Sequence, residues 1–355
     1  MLGAMIALLP ACSGSARTIA IGAAGPWKEG YGAMNRMGVE LAIEEINARG
    51  GIRHHPLRVV EQDDEGQGTK AAQVAADFVA NKDIIAVVGH VTSGAMVAAA
   101  HVYDGELPAI ATTATAPELT GISPWAFRVI SSDSANGIAL ARFADKLGRR
   151  RAAIMYENNS YGRGLADSFQ KAFAGEIVSV DPIPEGKSDL EPFVSYYARE
   201  KADIVFCAGT EESGLSMLRE ARRQGLRADF LGGDGWTGLV LDTAASNGVY
   251  VGAPFTAEDQ RPEAQRFVRA FRQKFQQVPD ANAALAYDAT RMIAAAIEAV
   301  GPNRSRVRDW LAGLDEGTAF RGVTGDIRFQ PDGDPVGKSF VMTRVAKGLL
   351  IVAAQ

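Results

Sequence analysis

The chain alternates short, wholly apolar runs with longer stretches of helical period, and this limits its fold more than any other feature. Runs such as Ile84-Ile85-Ala86-Val87-Val88 and Ile204-Val205-Phe206-Cys207-Ala208 have strand length and lack the in-out alternation of a strand with one wet face. Strands of this kind belong to parallel sheets covered by helices on both faces. A first series reads as strand 18–24, helix 33–49, strand 57–62, helix 69–81, strand 84–88 and helix 94–104. Within 33–49, Met34, Met37, Leu41, Ile43 and Ile46 follow the helical period, and Gly50-Gly51 stops the helix. A second series reads as strand 152–156, helix 163–173, strands 177–180 and 203–208, helix 212–224 and strand 230–232. The pattern pauses near 130 and again near 255, each time after a short strand, and the tail reverts to β at 326–329, 338–345 and 349–352. The expectation is an α/β chain of two Rossmann-like, doubly wound lobes joined by several crossing segments, because the pauses do not cut the chain into two clean halves.

At 355 residues with 47% hydrophobic content, there is material for two cores. A net charge of −5 and a pI near 5.6 argue against nucleic acid as a partner. The cationic cluster Arg149-Arg150-Arg151 is local, between a helix end and a strand, where it complements the helix dipole. At the start, residues 2–10 are apolar but too short to span a bilayer, and Leu9-Pro10-Ala11-Cys12 has the shape of a lipobox. This predicts an export signal, residues 1–12, cleaved so that Cys12 carries lipid and anchors the protein to a membrane. A buried N-terminal strand is the alternative, poorly suited to Gly3 and Pro10. With Cys12 acylated only Cys207 remains, in an apolar run, so no internal disulfide is expected and Cys207 reads as an inert core thiol.

Two strand ends carry the clearest chemical signal. Gly89-His90-Val91-Thr92-Ser93-Gly94 and Ala111-Thr112-Thr113-Ala114-Thr115-Ala116 both run from an apolar strand into small, hydroxyl-bearing residues. Free N–H groups and Ser/Thr hydroxyls at such turns make a donor array for a carboxylate, or else ordinary helix caps. Signatures of catalysis fail. Gly333-Asp334-Pro335-Val336-Gly337-Lys338-Ser339 is one residue short of a phosphate-binding loop, and a strand follows it. Ser168-Phe169-Gln170-Lys171 falls mid-helix without companion motifs, and His54, His55, His90 and His101 form no metal-type pair. No catalytic residue, metal or cofactor is expected.

The ordered set of local motifs resembles the periplasmic substrate-binding proteins of ABC transporters, in the leucine/isoleucine/valine-binding branch. The matching segments are Gly25-Pro26, Tyr31-Gly32, Gly38 through Gly51, Asp63-Asp64, Gly89 through Ser93 and Ala114 through Thr120. Tyr161-Gly162-Arg163-Gly164, Ala221 through Gly225 and Gly232-Gly233-Asp234-Gly235 complete it. The resemblance covers residue 18 to the end, more weakly after 255. It implies a type I periplasmic binding fold with a multi-segment hinge, one lobe formed by 17–130 plus 256–335 and the other by 131–255 plus 336–355. It also implies an extracytoplasmic importer component, in the periplasm or at the cell surface, that closes on an amino acid and delivers it to permease subunits. A ligand-sensing module for an amide, urea or aromatic acid is the alternative.

Carried over by motif, Ser93, Thr113, Ala114 and Thr115 would receive the ligand's α-carboxylate. Tyr161, Thr210 and Asp234 would come from the other lobe, with Asp234 facing the α-ammonium. A zwitterion shut away from water needs donors at one end and an acceptor at the other. Asp234 could instead cap the segment that follows it, and Tyr161 could cap a helix. Three departures stand out: Thr210 where relatives carry an aromatic, Asp234 where they carry glutamate, and Gly66 and Thr92 where they carry a disulfide. Tyr31 and Trp236 are expected to line the side-chain end of the pocket, and Trp27 to sit on its lip.

Overall fold

A computed structural model describes residues 18–183 and 189–353, so the lipobox and Cys12 lie outside the described residues. The first sheet is built from β1 (Ile19–Gly25), α1 (Gly30–Ala48), β2 (Leu57–Asp63), α2 (Gly68–Ala80), β3 (Ile84–Val88), α3 (Ser93–Tyr103), β4 (Ala109–Ala111) and β5 (Ala126–Arg128). Its strands are parallel in the order β2-β1-β3-β4-β5. Every residue of β1 and β3 is buried, as a strand covered on both faces requires. Val74 and Phe78 of α2 and Met96 of α3 cover one face. Val39 and Ile46 of α1 belong to the core on the other.

The chain then crosses to a second sheet. There it forms α4 (Asp133–Lys146), β6 (Arg151–Glu157), α5 (Ser160–Ala172), β7 (Glu176–Ile183), α6 (Glu191–Arg199), β8 (Ile204–Ala208), α7 (Glu211–Gln224) and β9 (Asp229–Gly232). A 3₁₀ segment, Asp234–Leu241, leads through α8 (Thr243–Ser246) to β10 (Tyr250–Ala253). After β10 the chain returns with α9 (Pro262–Phe275), α10 (Ala281–Val300) and α11 (Arg304–Ala312), and α10 lies along α1 while α11 packs on β3. A hairpin of β11 (Phe320–Gly322) and β12 (Gly325–Ile327) follows. The last crossing delivers β13 (Val341–Ala346) and β14 (Leu349–Val352), antiparallel, to the far edge of the second sheet, whose order is β14-β13-β10-β9-β8-β6-β7.

The strands read from the sequence are present, with ends shifted by a few residues. Six of the described helices were not anticipated: α4, α6, the single turn of α8, α9, α10 and α11. α10 is alanine-rich and buried along most of its length, so it shows no polar face against which a stripe could be read. The tail strand expected from 338 starts only at Val341. Lys338 is turned aside, its Nζ donating to the Thr324 carbonyl at 2.6 Å and hydroxyl at 2.8 Å.

Strand order reverses between β1 and β3 in the first sheet and between β6 and β8 in the second. Crevices outside the carboxyl ends of strands at such reversals are where open α/β sheets hold ligands. The lobes are in contact there. An ideal Cβ on Gly164 of α5 would fall 2.6 Å from Cδ of Pro117, in the loop after β4. Asn282 Nδ2 donates across to Thr237 Oγ1 at 3.5 Å.

Candidate functional site

On the first lobe Ser93 opens α3 directly after β3, and its Oγ accepts the N–H groups of Thr115 and Ala116, both at 3.1 Å. The two hydroxyl-bearing loops are therefore tied together through one oxygen, and the Ser93 hydroxyl keeps its own hydrogen to donate. Thr113 Oγ1 adds a second tie, to the Val91 carbonyl at 2.9 Å. Ala114 is buried in the first lobe's core, so only its backbone can serve a ligand. Below this loop His90 is wholly buried between Asp64 (Nδ1 to Oδ2, 2.6 Å) and Tyr103 (Nε2 to Oη, 3.0 Å). This chain of partners fixes the end of β3 and hence Ser93. Where the resemblance implies a disulfide, Thr92 Oγ1 donates weakly to the Gly66 carbonyl at 3.4 Å.

The outer side of the loop hangs on Arg128, which is 2% exposed. Its Nη1 donates to the carbonyls of Thr115 (3.0 Å) and Ala116 (2.9 Å), its Nε to Asp334 Oδ1 (2.6 Å) and its Nη2 to Thr120 Oγ1 (2.6 Å). Asp334 belongs to the segment that resembled a phosphate-binding loop. Among the described residues strands and no helix follow that segment, and its Asp334 serves as the counter-charge of Arg128. The Ser168-to-Lys171 motif is likewise structural: Ser168 bonds the Gly164 carbonyl at 2.9 Å and Lys171 pairs with Asp167 at 2.6 Å.

On the second lobe Tyr161 Oη donates to Asp234 Oδ1 and accepts the Gly235 N–H, both at 3.1 Å. Asp234 is 9% exposed, and burial pushes its carboxyl up to about 6. Beside it stands Asp133, the first residue of α4, which sequence reasoning missed. Its backbone N–H reaches the Thr115 carbonyl at 2.8 Å, linking the lobes. Both Asp133 carboxyl oxygens and Thr115 Oγ1 are buried without a hydrogen-bond partner among the described residues. Burial, and after it the charge of Asp234, hold the Asp133 carboxyl well above the usual carboxylate range. Unpaired buried carboxyl oxygens are costly, and an ammonium group, with three donors and no acceptor, fits this set of acceptors.

Thr210 is placed at the cleft but is already engaged, since its N–H and hydroxyl both donate to Glu157 Oε1, at 2.8 and 2.5 Å. Glu157, the last residue of β6, was missed as well. Its charge reaches Tyr31 at the head of α1, whose hydroxyl is pushed up by burial first and then by Glu29, Glu157 and Asp64. Tyr31, on the first lobe, thus lies near enough to Glu157 of the second to feel its charge.

Trp236 is placed otherwise than expected. It is fully buried in the second lobe's core, with its ring over Gly232 and Gly214, where added Cβ atoms would lie 2.1 and 2.4 Å from it. The glycines around Asp234 thus make room for this indole, so Trp236 supports the turn from within and does not face the pocket. Cys207 is a buried thiol whose pKa is raised by burial. Among the described residues no group of His, Cys, Asp and Glu is arranged to hold a metal ion, and no helix is long and apolar enough to cross a membrane.

The profile of the periplasmic binding protein family matches residues 18–348. The chain is 30% identical over 319 residues to the Leu/Ile/Val-binding protein of Escherichia coli K12, covering 87% of this chain and 85% of that one. It is 28% identical over 327 residues to the Leu/Ile/Val-binding protein homolog 1 of Brucella abortus, covering 90% and 87%. Among solved structures, the branched-chain amino acid transporter substrate binding protein of Streptococcus pneumoniae in complex with isoleucine superposes with a TM-score of 0.88 at 29% identity, over 94% of this chain and 98% of that one. An ABC transporter substrate-binding protein of Desulfitobacterium hafniense in complex with leucine gives 0.83 at 30% identity, over 95% and 100%. With the fold, the strand-end site and these likenesses in agreement, the chain belongs to the periplasmic binding protein family, as a substrate-binding protein of the ABC transporter type.

Proposed function

We propose that the protein captures an α-amino acid of aliphatic, branched-chain type outside the cytoplasm and hands it to the permease subunits of an ABC importer. The observation that carries this reading is the cross-lobe acceptor set of Asp133, Asp234 and Thr115, set against the hydroxyl donor of Ser93. One end suits an ammonium and the other a carboxylate, the two groups an α-amino acid presents together. The names and bound ligands of the relatives support the aliphatic side chain. In this reading Tyr161 orients Asp234, the strand-end loop of Thr113, Ala114 and Thr115 holds the carboxylate, and Tyr31 borders the side chain. Thr210 shapes the wall through Glu157.

The lobes, 17–130 with 256–335 and 131–255 with 336–355, close by bending at the crossings, and acylated Cys12 tethers the protein to the membrane. The site binds and releases its ligand without making or breaking a covalent bond. Mass spectrometry of small molecules released by denaturing natively purified protein tests the assignment. Recovery of leucine, isoleucine or valine is expected; recovery of an acid lacking an amine would overturn it.

Ser93→Ala removes one neutral donor and also frees the N–H groups of Thr115 and Ala116, which can turn to the carboxylate instead. The expected loss is therefore moderate, about 1–2 kcal/mol or roughly 5- to 30-fold in calorimetric Kd.

A further inference from the structure

A cavity of about 550 Å³ lies at the hinge and shares no lining residue with the cleft site. All three interlobe crossings contribute to it: 129–131, 254–256 and 336–341. Its walls are largely apolar, from Val129, Ile130, Phe255, Leu285 and Val336, and two cations enter at one end. Lys338 Nζ spends two of its three donors on Thr324 and keeps one. Arg261 binds Asp259 and the Val323 carbonyl through Nε and Nη2, and its Nη1 has no partner among the described residues. Between them is Gly325, where an ideal Cβ would sit 3.5 Å from Arg261 Nη1 and 3.7 Å from Lys338 Nζ. The missing side chain leaves a gap flanked by two unspent cationic donors.

We infer that this cavity is a second ligand site, taking a small monocarboxylate with an apolar body whose carboxylate lies between Lys338 and Arg261 beside Gly325. The acidic groups around it favour a monoanion over phosphate or sulfate. Asp259 is occupied by Arg261, and Asp288 is buried and bound by the N–H groups of Val323 and Thr324 and the Thr324 hydroxyl. Asp326 and Glu258 stand exposed at the rim, where they repel a second negative charge. A charge-assisted pair in a mostly apolar cavity of this size is the usual make-up of a small-molecule site. A ligand there touches every segment that hinge bending must move.

Isovalerate and its neutral isostere isovaleramide are the probes, titrated by calorimetry and followed by ligand-observed NMR. Isovalerate is expected to bind saturably, the amide at least about tenfold more weakly, and Lys338→Met to lose at least about tenfold for the acid. Saturating leucine, which enters the cleft, leaves isovalerate bound. Burial lowers Lys338 to about 8, so binding should fade as pH rises past that value. Absence of saturable binding, equal binding of acid and amide, or displacement by leucine with Lys338→Met unaffected would overturn the site. The acid-amide comparison uses the unaltered protein, so it holds if Lys338→Met fails to fold. It also holds if the amino-acid reading of the cleft fails.

Discussion

Asp234→Asn is expected to weaken an α-amino acid by about 30-fold to several thousand-fold. Truncating one partner of a buried charge pair costs on the order of 2–5 kcal/mol. The effect belongs to the ammonium, because asparagine keeps the shape and the Tyr161 contact and loses only the charge. The pH dependence separates this from a structural fault. Burial raises the Asp234 carboxyl of the ligand-free protein to about 6. An ammonium favours the ionised form, so affinity should be flat above about pH 7 and fall toward tenfold per pH unit below 6, as the site must shed a proton to bind. Stability of the ligand-free protein runs the other way. The folded pKa lies above the ordinary value of 3.8, so this group's contribution is fully present below the unfolded pKa and is lost as pH rises through about 6. Calorimetry from pH 5 to 8 on both proteins decides the point. A slope that persists in Asp234→Asn would move the titration to Asp133, and a mild Asp234→Asn effect beside a severe Ser93→Ala effect would remove the amino acid.

What could be read from the sequence follows from which interactions are local. The central strands of both sheets were legible because burial on both faces leaves an uninterrupted apolar run, as in β3 and β8. Helix α9 carries a local signal too, since Ala264, Phe267, Val268 and Phe271 follow the helical period. Ser93, Tyr161 and Asp234 could be proposed for the site from sequence because they stand in local motifs at strand ends. Asp133 had a signal as well, the strand–Ser131-Ser132-Asp133–helix transition in which Ser132 Oγ caps the N–H of Ser134 at 3.3 Å. The role proposed for it was hidden because that role depends on Thr115 and Asp234, which only folding brings near. Trp236 misled for the same reason. Its neighbour Asp234 faces the cleft, while the glycines at 214 and 232 that admit its ring reveal themselves only by close packing.

The same non-local logic makes Arg128→Met the largest expected loss of stability. Arg128 is almost wholly buried, and its fork joins β5 to two carbonyls of the ligand loop and to a carboxylate some two hundred residues away. Methionine would fill most of the volume but take the charged donor from Asp334, which keeps only the Thr120 hydroxyl, and one donor each from the carbonyls of Thr115 and Ala116, which keep the N–H groups of Asp133 and Leu119. Breaking a fully buried pair from one side costs about 3–5 kcal/mol, and with the Asp334 side chain 13% exposed the loss should lie toward the lower end of that range. Urea unfolding should show that loss as a lower midpoint with an unchanged slope. Lysine should rescue little, since a single ammonium cannot reach the four acceptors the guanidinium serves. Adding Asp334→Asn to Arg128→Met should recover part of the deficit, as the orphaned charge disappears; the double variant would then lie above Arg128→Met alone. Amino-acid affinity should fall in parallel, because the carbonyls held by Arg128 set the loop on which Ser93 and Thr115 meet. A loss below about 1 kcal/mol, within the range of exposed pairs, would mean that water replaces the guanidinium and that the loop is held by Ser93 instead.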